Sequence, residues 1–521
     1  MINKNRMENN QSNNKTIAKN TLFLYCRMMF TMVISLFTSR IILQKMGVDD
    51  YGIYQAVGGV VGFLSFINGA LSTGSSRFLT YALGEGNVEK LKRTFSTTLN
   101  IHILIAIFIV IIAETIGLWF LYTKMVIAPD RLSAAVYTYH LSILTAVFTL
   151  TQVPYNATIV AHEKMSIYAY MSIFEVSAKL LICYLLTIGN FDRLMMYATL
   201  LLCVQVSIMC FYRFYCTHHF EEARFSFSFD KKIFKEIAGF SGWSMFANAS
   251  IALNSQGVLI LLNMFFAPAV VAARAISLQV NMAANQFVSN FRQAANPQIV
   301  KKYAAGDYGG SKHLLLESTK YSYFMMYLIA LPVCLLAYPL LKLWLGVVPD
   351  YTVPFLQIVI VQSLFQVFDT SFYTALYAKG RLRENALTSP TLSFMIFPIT
   401  YVLFKMGYSP LVLSWTSLVV YAFLGTIVKP LLLMKIVDYK WLEIWSVYRV
   451  CIIVTLISLP IPIIINKVLD TTQLINFILV GIICVSSVGF SVFFFGIDEI
   501  MRKKVIKKVC NYSAPLFRNV K

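Results

Sequence analysis

Apolar runs of about 20 residues or more recur along the whole chain, and the charged residues gather in short clusters between them. A helix rises about 1.5 Å per residue, so about 20 residues cross a hydrocarbon core ~30 Å thick. Inside such a core every backbone N–H and C=O needs a partner within the protein, which leaves only helices and closed barrels. The runs lack period-2 alternation and therefore read as helices. Composition agrees: 58% of the 521 residues are hydrophobic and only 13% charged, about half the charged share of a soluble domain. An all-α polytopic membrane protein is expected.

The spacing predicts about fourteen spans, at 21–43, 52–76, 98–121, 133–155, 165–188, 194–216, 238–262, 268–291, 320–341, 352–378, 385–404, 411–434, 446–466 and 474–497. Pro154, Pro354, Pro390 and Pro398 mark places where kinks or re-entrant ends would lower the count to twelve or thirteen. The expected organisation is a polar tail over 1–20, a six-helix bundle over 21–216 and a linker over 217–237. A second six-helix bundle over 238–434, an extra helix pair over 435–497 and a basic tail over 498–521 follow.

Charge placement sets the orientation. With the N-terminus cytoplasmic, 33 of the 44 Lys and Arg fall in the tails, the even-numbered loops and the span ends adjoining those loops. Seven fall in the odd-numbered loops, and Arg27, Arg40, Lys179 and Arg274 lie within spans. Basic residues accumulate on the cytoplasmic side of membrane proteins, so both termini are expected there. Most of the net charge of +20 is thus topology. The cluster Arg502-Lys503-Lys504 with Lys507-Lys508 is read as contact with anionic membrane lipids rather than nucleic acid.

All nine cysteines fall in spans or on the expected cytoplasmic side, and no CxxC occurs, which argues against disulfides and structural zinc. The six histidines form no HxxxH or HExxH pattern, and the inner loops, reaching about 28 residues near Arg292–Lys320, hold no P-loop or GxGxxG. Outer loops are too short to carry an acidic or metal-binding domain. The expectation is a transporter rather than an enzyme, without catalytic residues, metal or cofactor.

Tyr81-Ala82-Leu83-Gly84-Glu85-Gly86 recurs as Tyr303-Ala304-Ala305-Gly306-Asp307-Tyr308. A shift of 222 residues also lays the first two spans on the seventh and eighth. Six helices preserve orientation, so two pseudo-symmetric six-helix bundles are expected as parallel repeats about the membrane normal, an arrangement suited to alternating access.

Ser39-Arg40-Ile41-Ile42-Leu43, Gly47 and Asp50-Tyr51-Gly52-Ile53-Tyr54 resemble the first-to-second-helix signature of bacterial polysaccharide (O-antigen type) flippases, with Met46 where many relatives have Leu. These belong to the multidrug/oligosaccharidyl-lipid/polysaccharide exporter superfamily. The resemblance implies a flippase that moves undecaprenyl-diphosphate-linked oligosaccharide from the cytoplasmic to the outer leaflet for O-antigen, lipopolysaccharide or other surface polysaccharide biosynthesis. It also implies a polysaccharide polymerase as a candidate partner.

Such a substrate needs cations for its diphosphate and hydrogen-bonding groups for its sugars. Arg suits phosphate because its planar fork donates bidentately and stays charged. In the eighth span Arg274, Asn281, Asn285 and Arg292 share one face, within about 20° of a common line over ~27 Å of helix. The stripe is either a helix-packing seam or, as favoured here, the wall of a water-filled path. Arg274 and Arg292 would then meet the diphosphate, and Asn281 and Asn285 the sugars. Arg27 lines up with Thr31 and Thr38 and joins the diphosphate candidates, with snorkelling as its alternative. Arg40, retained chiefly on the motif, either snorkels or meets substrate. Arg77 is either a first phosphate contact or a topology anchor. In the second span Gly58, Gly62, Ser65, Gly69, Ser72 and Ser76 form a small-residue side suited to close packing.

Acidic groups raise the question of ion coupling. Glu175 and Lys179 stand at i,i+4 and read as a neutral pair or a coupling element. Glu114 and Asp369 lack a partner one helical turn away and are the stronger candidates for coupling to H+ or Na+; the membrane potential is the remaining energy source. The competing reading is a cation-coupled multidrug exporter of the same fold, against which the basic excess of Arg27, Arg274 and Arg292 argues.

Overall fold

The computed structural model describes residues 29–499 apart from Leu64, Glu163, 189–190 and 225–229, together with Arg502 and Lys503. Arg27, the polar N-terminal tail and most of the basic C-terminal tail lie outside the described residues. Helices occupy the described part of each of the fourteen predicted segments, and the described residues contain no strand. Among them are nine helices long and apolar enough to cross a membrane, or up to eleven if each of two sharply bent pairs is one span. The fold is that of an all-α polytopic membrane protein.

The chain divides into two compact units, Met1–Ala275 with Trp344–Pro349, and Ile276–Leu343 with Asp350–Lys521. The first unit contains α1 (Met29–Met46), α2 (Val48–Phe63), α3 (Ser65–Gly84), α4 (Val88–Ile112), α5 (Leu118–Lys124), α6 (Leu132–Ala161), α7 (Met165–Leu185) and α8 (Arg193–His219). It continues through α9 (Lys231–Ala252) and α10 (Val258–Phe265) into the start of α11 (Pro268–Ala304). The second unit takes the rest of α11, then α12 (Tyr308–Leu335), most of α13 (Ala337–Leu345), α14 (Thr352–Ala378), α15 (Leu382–Phe394) and α16 (Ile396–Lys405). It ends with α17 (Val412–Phe423), α18 (Lys429–Val437), α19 (Trp441–Ser458), α20 (Pro460–Val468) and α21 (Leu474–Ser491).

In the first unit the residues of the α1–α2 motif act as packing devices. Gly47 sits at φ 88°, a left-handed turn that a side chain would strain. Tyr51 is buried, and Tyr54 meets Tyr197 edge-on at 4.8 Å between ring centres. A Cβ on Gly52 would stand 2.0 Å from the Pro268 carbonyl oxygen, so only glycine lets α2 approach the start of α11. Asp50 accepts two hydrogen bonds from Arg131, at 2.8 and 2.7 Å, and Arg131 reaches Asp192 at 2.5 Å. Gly69 is equally tight, its would-be Cβ only 2.7 Å from Asn248 on α9, whereas nothing lies within 4 Å of that position at Gly58.

In the second unit the last helices are tied in through hydroxyls. Tyr323 and Tyr327 of α12 bond Thr455 and Ser458 of α19, each at 2.9 Å, and Ser487 of α21 donates to the Ser458 carbonyl at 2.8 Å.

Three expectations need correction. The 28-residue inner loop does not exist: α11 runs to Ala304 and α12 starts at Tyr308, because the apolar pattern simply fades before the helices stop. The ninth span is α12, after which the chain turns by 82° into α13. The two hexapeptides of the expected repeat mark similar helix ends, but their structural register differs from the sequence match. Gly86 and Gly306, at φ 71° and 80°, each end a helix, and Asn87 and Asp307 each cap the next by accepting from the amide three residues on. This sets the register two residues from that of the matching hexapeptides, since turn geometry rather than side-chain identity is what repeats.

Candidate functional site

The polar stripe of α11 faces α14 over its second half. Asn285 donates to Ser363 Oγ at 3.1 Å, Arg292 donates to Thr370, and Thr374 donates to Asn296 at 3.2 Å, all at the same sequence offset of 78. A constant offset means two parallel helices in fixed register. Asn281 closes the upper rung, its Oδ1 accepting from Ser363 at 2.6 Å and from Asn285 at 3.0 Å. The expected water-filled wall is therefore, from Asn281 to Asn296, a hydrogen-bonded helix seam. Small hydroxyl residues on α14 make it so, and periodicity within α11 alone does not reveal them. Arg274, farther up the helix and within the first unit, is buried.

Beside the seam lies a buried charge cluster. Gly425 belongs to a π-helical turn, Leu424–Val428, between α17 and α18, a local widening common at functional positions. A Cβ there would stand 2.4 Å from the Phe365 carbonyl oxygen, and the Tyr448 hydroxyl donates to the Gly425 carbonyl at 2.6 Å. That close approach puts the residue one turn on, Lys429, beside the residue one turn on from Phe365, Asp369. The ammonium is 3.3 Å from Asp369 Oδ1, donates to Asn385 Oδ1, and lies 5.6 Å from the Tyr373 ring centre. Ser389 donates to the same carboxylate oxygen at 3.1 Å. The Asp369 charge also acts on Arg292. The Lys429 side chain is 1% exposed and that of Asp369 13%, so both are withdrawn from water.

Asp369 thus has a partner, on another helix rather than its own. Lys429 is the residue that sequence reasoning missed. Its place inside the predicted span 411–434 is the signal that marks it.

The remaining candidates are dispersed. Glu114, on a π-helical turn after α4, is held by His140 at 3.0 Å. Glu175 and Lys179 pair at 2.6 Å on α7, both about two-fifths exposed. Arg40 is half-buried on α1, and Arg77 is exposed on α3, 6.0 Å from the Phe78 ring centre. Among the described residues no group of three or more His, Cys, Asp or Glu is placed to hold a metal.

The MatE family model matches residues 25–185. No protein with a curated function matches the chain. Among solved structures, a lipid II flippase MurJ in an inward closed conformation is similar over 93% of this chain and 99% of its own, with TM-score 0.72 and 12% identity. An inward-facing multidrug resistance MATE family transporter of the MOP superfamily is similar over 82% of this chain and 98% of its own, with TM-score 0.58 and 13% identity. An outward-facing one gives TM-score 0.54 and 14% identity, over 80% and 96%. At these identities the likeness is one of fold, a fold carried by flippases and multidrug transporters.

Proposed function

We propose that the chain is a flippase for diphosphate-linked lipid oligosaccharide, moving it from the cytoplasmic to the outer leaflet of a bacterial inner membrane during surface-polysaccharide synthesis. The observation that carries this reading is the sign of the buried charge. Among the described residues the most deeply buried charged side chains of the spanning segments are Arg274, Lys320 and Lys429, all cationic, while the carboxylates that meet the two lysines, Glu317 and Asp369, are less deeply buried. The one buried carboxylate outside that set, Glu222, lies on a short turn bound to His162. Withdrawing a cation from water is costly, so an excess of one sign favours an anionic guest that compensates it. A carrier of cationic drugs would need the reverse. The fold alone does not separate the two, since flippases and drug exporters share it.

In this reading Arg274 and Arg292, ~27 Å apart along α11, meet the diphosphate at different stages of its passage, with Arg27, Arg40 and Arg77 along the route. Asn281 and Asn285 meet sugars only when the seam with Ser363 opens. Both termini are cytoplasmic, and a polymerase acting on the delivered lipid is the natural partner. Glu114 and the Glu175–Lys179 pair remain candidates for ion coupling.

Native mass spectrometry of the full chain with a polyprenyl-diphosphate sugar, a polyprenyl monophosphate and a cationic dye tests the reading. Selective retention of the diphosphate lipid, weakened in Arg274→Ala and Arg292→Ala, is expected. Preferential retention of the dye, unchanged in both variants, would overturn it in favour of a cation-coupled drug exporter.

A further inference from the structure

Glu114 and His140 form a polar pair on an otherwise apolar, exposed face of the first unit. His140 Nδ1 meets Glu114 Oε1 at 3.0 Å, and the two side chains are 43% and 39% exposed. Around them Ile111, Ile116, Trp119 and Leu144 are exposed as well. The pair is set by a packing device. Tyr139, fully buried, donates its hydroxyl to the Ala113 carbonyl at 2.8 Å, and a Cβ on Gly117 would stand 2.0 Å from that hydroxyl. The wide turn Ala113–Gly117 is held in this way, with Glu114 on its exposed side and His140, the chain neighbour of Tyr139, beside it.

An apolar trough of about 210 Å³ adjoins the pair between α4 and α6, lined among others by Ile103, Ile107, Val110, Val147 and Thr151. The one hydroxyl of that lining, on Thr151, is bonded to the Val147 carbonyl at 2.9 Å. Eleven residues lead from Ile103 to Glu114 and eleven from His140 to Thr151, so the two helices run antiparallel and the pair bridges one end of the trough. Eleven helical residues measure ~16 Å, about half of a ~30 Å hydrocarbon core and so one leaflet deep. Beyond Glu114 the chain reaches Trp119 and Lys124, whose ammonium lies 5.9 Å from the indole ring centre, a pairing typical of the membrane interface. The polar end of the trough therefore points to the interface and the apolar end to the bilayer midplane.

A glutamate–histidine pair carries no net positive charge whichever form the imidazole takes. A carboxylate facing hydrocarbon is costly unless a guest compensates it. The guest that does so donates hydrogen bonds and brings a cation. A head group with net negative charge is repelled, and a quaternary ammonium has no N–H to give. Chain and charge together specify a primary ammonium attached to a lipid of one-leaflet length. We infer that this cleft binds an aminophospholipid of the phosphatidylethanolamine type, its ammonium on Glu114 and one acyl chain in the trough. The phosphate stays on the interfacial side, towards Lys124, while the ethanolamine arm folds back to the carboxylate. In the orientation proposed above, the bound lipid belongs to the outer leaflet. This use of Glu114 needs no ion gradient and does not depend on which substrate the protein carries.

The test is native mass spectrometry of the full chain released from nanodiscs that hold equal shares of phosphatidylethanolamine, phosphatidylcholine and phosphatidylglycerol with the same acyl chains. For the first lipid retained, wild type is expected to prefer phosphatidylethanolamine about tenfold over either of the others, the scale of one hydrogen bond to a charged group. Glu114→Gln keeps the size of the side chain and the bond from His140 but loses the charge. Ile107→Trp fills the trough from an exposed position. Each variant is expected to retain the three lipids equally. Equal retention by wild type overturns the inference, as does a preference for phosphatidylcholine or phosphatidylglycerol. A phosphatidylethanolamine preference that survives in either variant overturns it too. None of these outcomes bears on the flippase reading, which is tested by the diphosphate lipid.

Discussion

The Lys429 ammonium stands 3.3 Å from the Asp369 carboxylate, and the pair is placed by backbone contact one helical turn earlier, where Gly425 approaches the Phe365 carbonyl. Register, rather than local sequence, brings the charges together. Arg292, bonded to Thr370 next along α14, also feels the Asp369 charge, so removing either member of the pair is expected to have unequal consequences.

Asp369→Asn leaves Lys429 and Arg292 without an anion, whereas Lys429→Met leaves Asp369 to Arg292. Breaking a buried pair costs about 3–5 kcal/mol when a charge is stranded. That full loss is expected for Asp369→Asn, a much smaller one for Lys429→Met, and an intermediate one for the double variant. Thermal unfolding in nanodiscs reads the order. Equal losses in the two single variants would show that Arg292 does not share the carboxylate.

Glycines of the second span divide by what surrounds them. Gly52→Ala would drive a Cβ to 2.0 Å from the Pro268 carbonyl oxygen, which sits on backbone and cannot step aside. Gly58→Ala meets nothing within 4 Å and gains helix propensity of about 0.5–1 kcal/mol. Fluorescence-detected size exclusion after heating should show Gly52→Ala lost from the monodisperse peak and Gly58→Ala retained at least as well as wild type. The opposite order would refute the packing account of the motif.

Asp192 caps α8 and receives Arg131 at 2.5 Å. Burial pushes its carboxyl up, but the hydrogen bond from Arg131 and the Met195 and Leu194 amides outweigh it and hold the group below its ordinary value. A depressed carboxyl contributes stability that is complete above its unfolded value of about 3.9 and is lost as pH falls through the folded value. Melting temperature should therefore drop on acidification below about pH 4 in wild type. Asp192→Asn should lack that component. At neutral pH Arg131→Ala should cost about 2 kcal/mol, the scale of hydrogen bonds to a charged group. An unaltered acid profile in Asp192→Asn would remove the clasp from the stability of this unit.

What the sequence discloses here depends on how far apart the interacting groups lie. Span positions follow from neighbours along one helix, and the period of the apolar runs carries them. The Glu175–Lys179 pair is legible for the same reason, being one turn apart on α7. The partner of Asp369 is not, because Lys429 reaches it from another helix through a register that Gly425 sets. The α11 stripe was visible as a stripe, but its facing hydroxyls at Ser363 and Thr370 belong to α14, so a seam looked like a wall. The motif glycines illustrate the converse: Gly47 and Gly52 stood out as a signature, while their physical reasons, a left-handed turn and a backbone contact, needed coordinates.

The α11–α14 seam yields a last prediction. If Asn281 and Asn285 contact sugars, the hydrogen bonds to Ser363 must open in each cycle, since the same amides cannot serve both. Joining the helices should then stop transport without removing a charge. The Asn285 and Ser363 side chains meet at 3.1 Å, so cysteines at the two positions face each other across the seam, and the disulfide they form, which requires a Cα separation of about 4.4–6.8 Å, is verified before transport is read. A second pair at Asn296 and Thr374, 3.2 Å apart on the same ladder, samples the other end. In proteoliposomes, oxidised Asn285→Cys/Ser363→Cys should lose delivery of the lipid-linked sugar to the opposite leaflet, and reductant should restore it, with each single-cysteine variant unaffected by oxidant. If the first pair locks and the second does not, the helices part at the Asn281 end and pivot near Asn296. Full transport by protein shown to be completely cross-linked at both positions would mean that the seam is static, and the sugar role of Asn281 and Asn285 would fall with it.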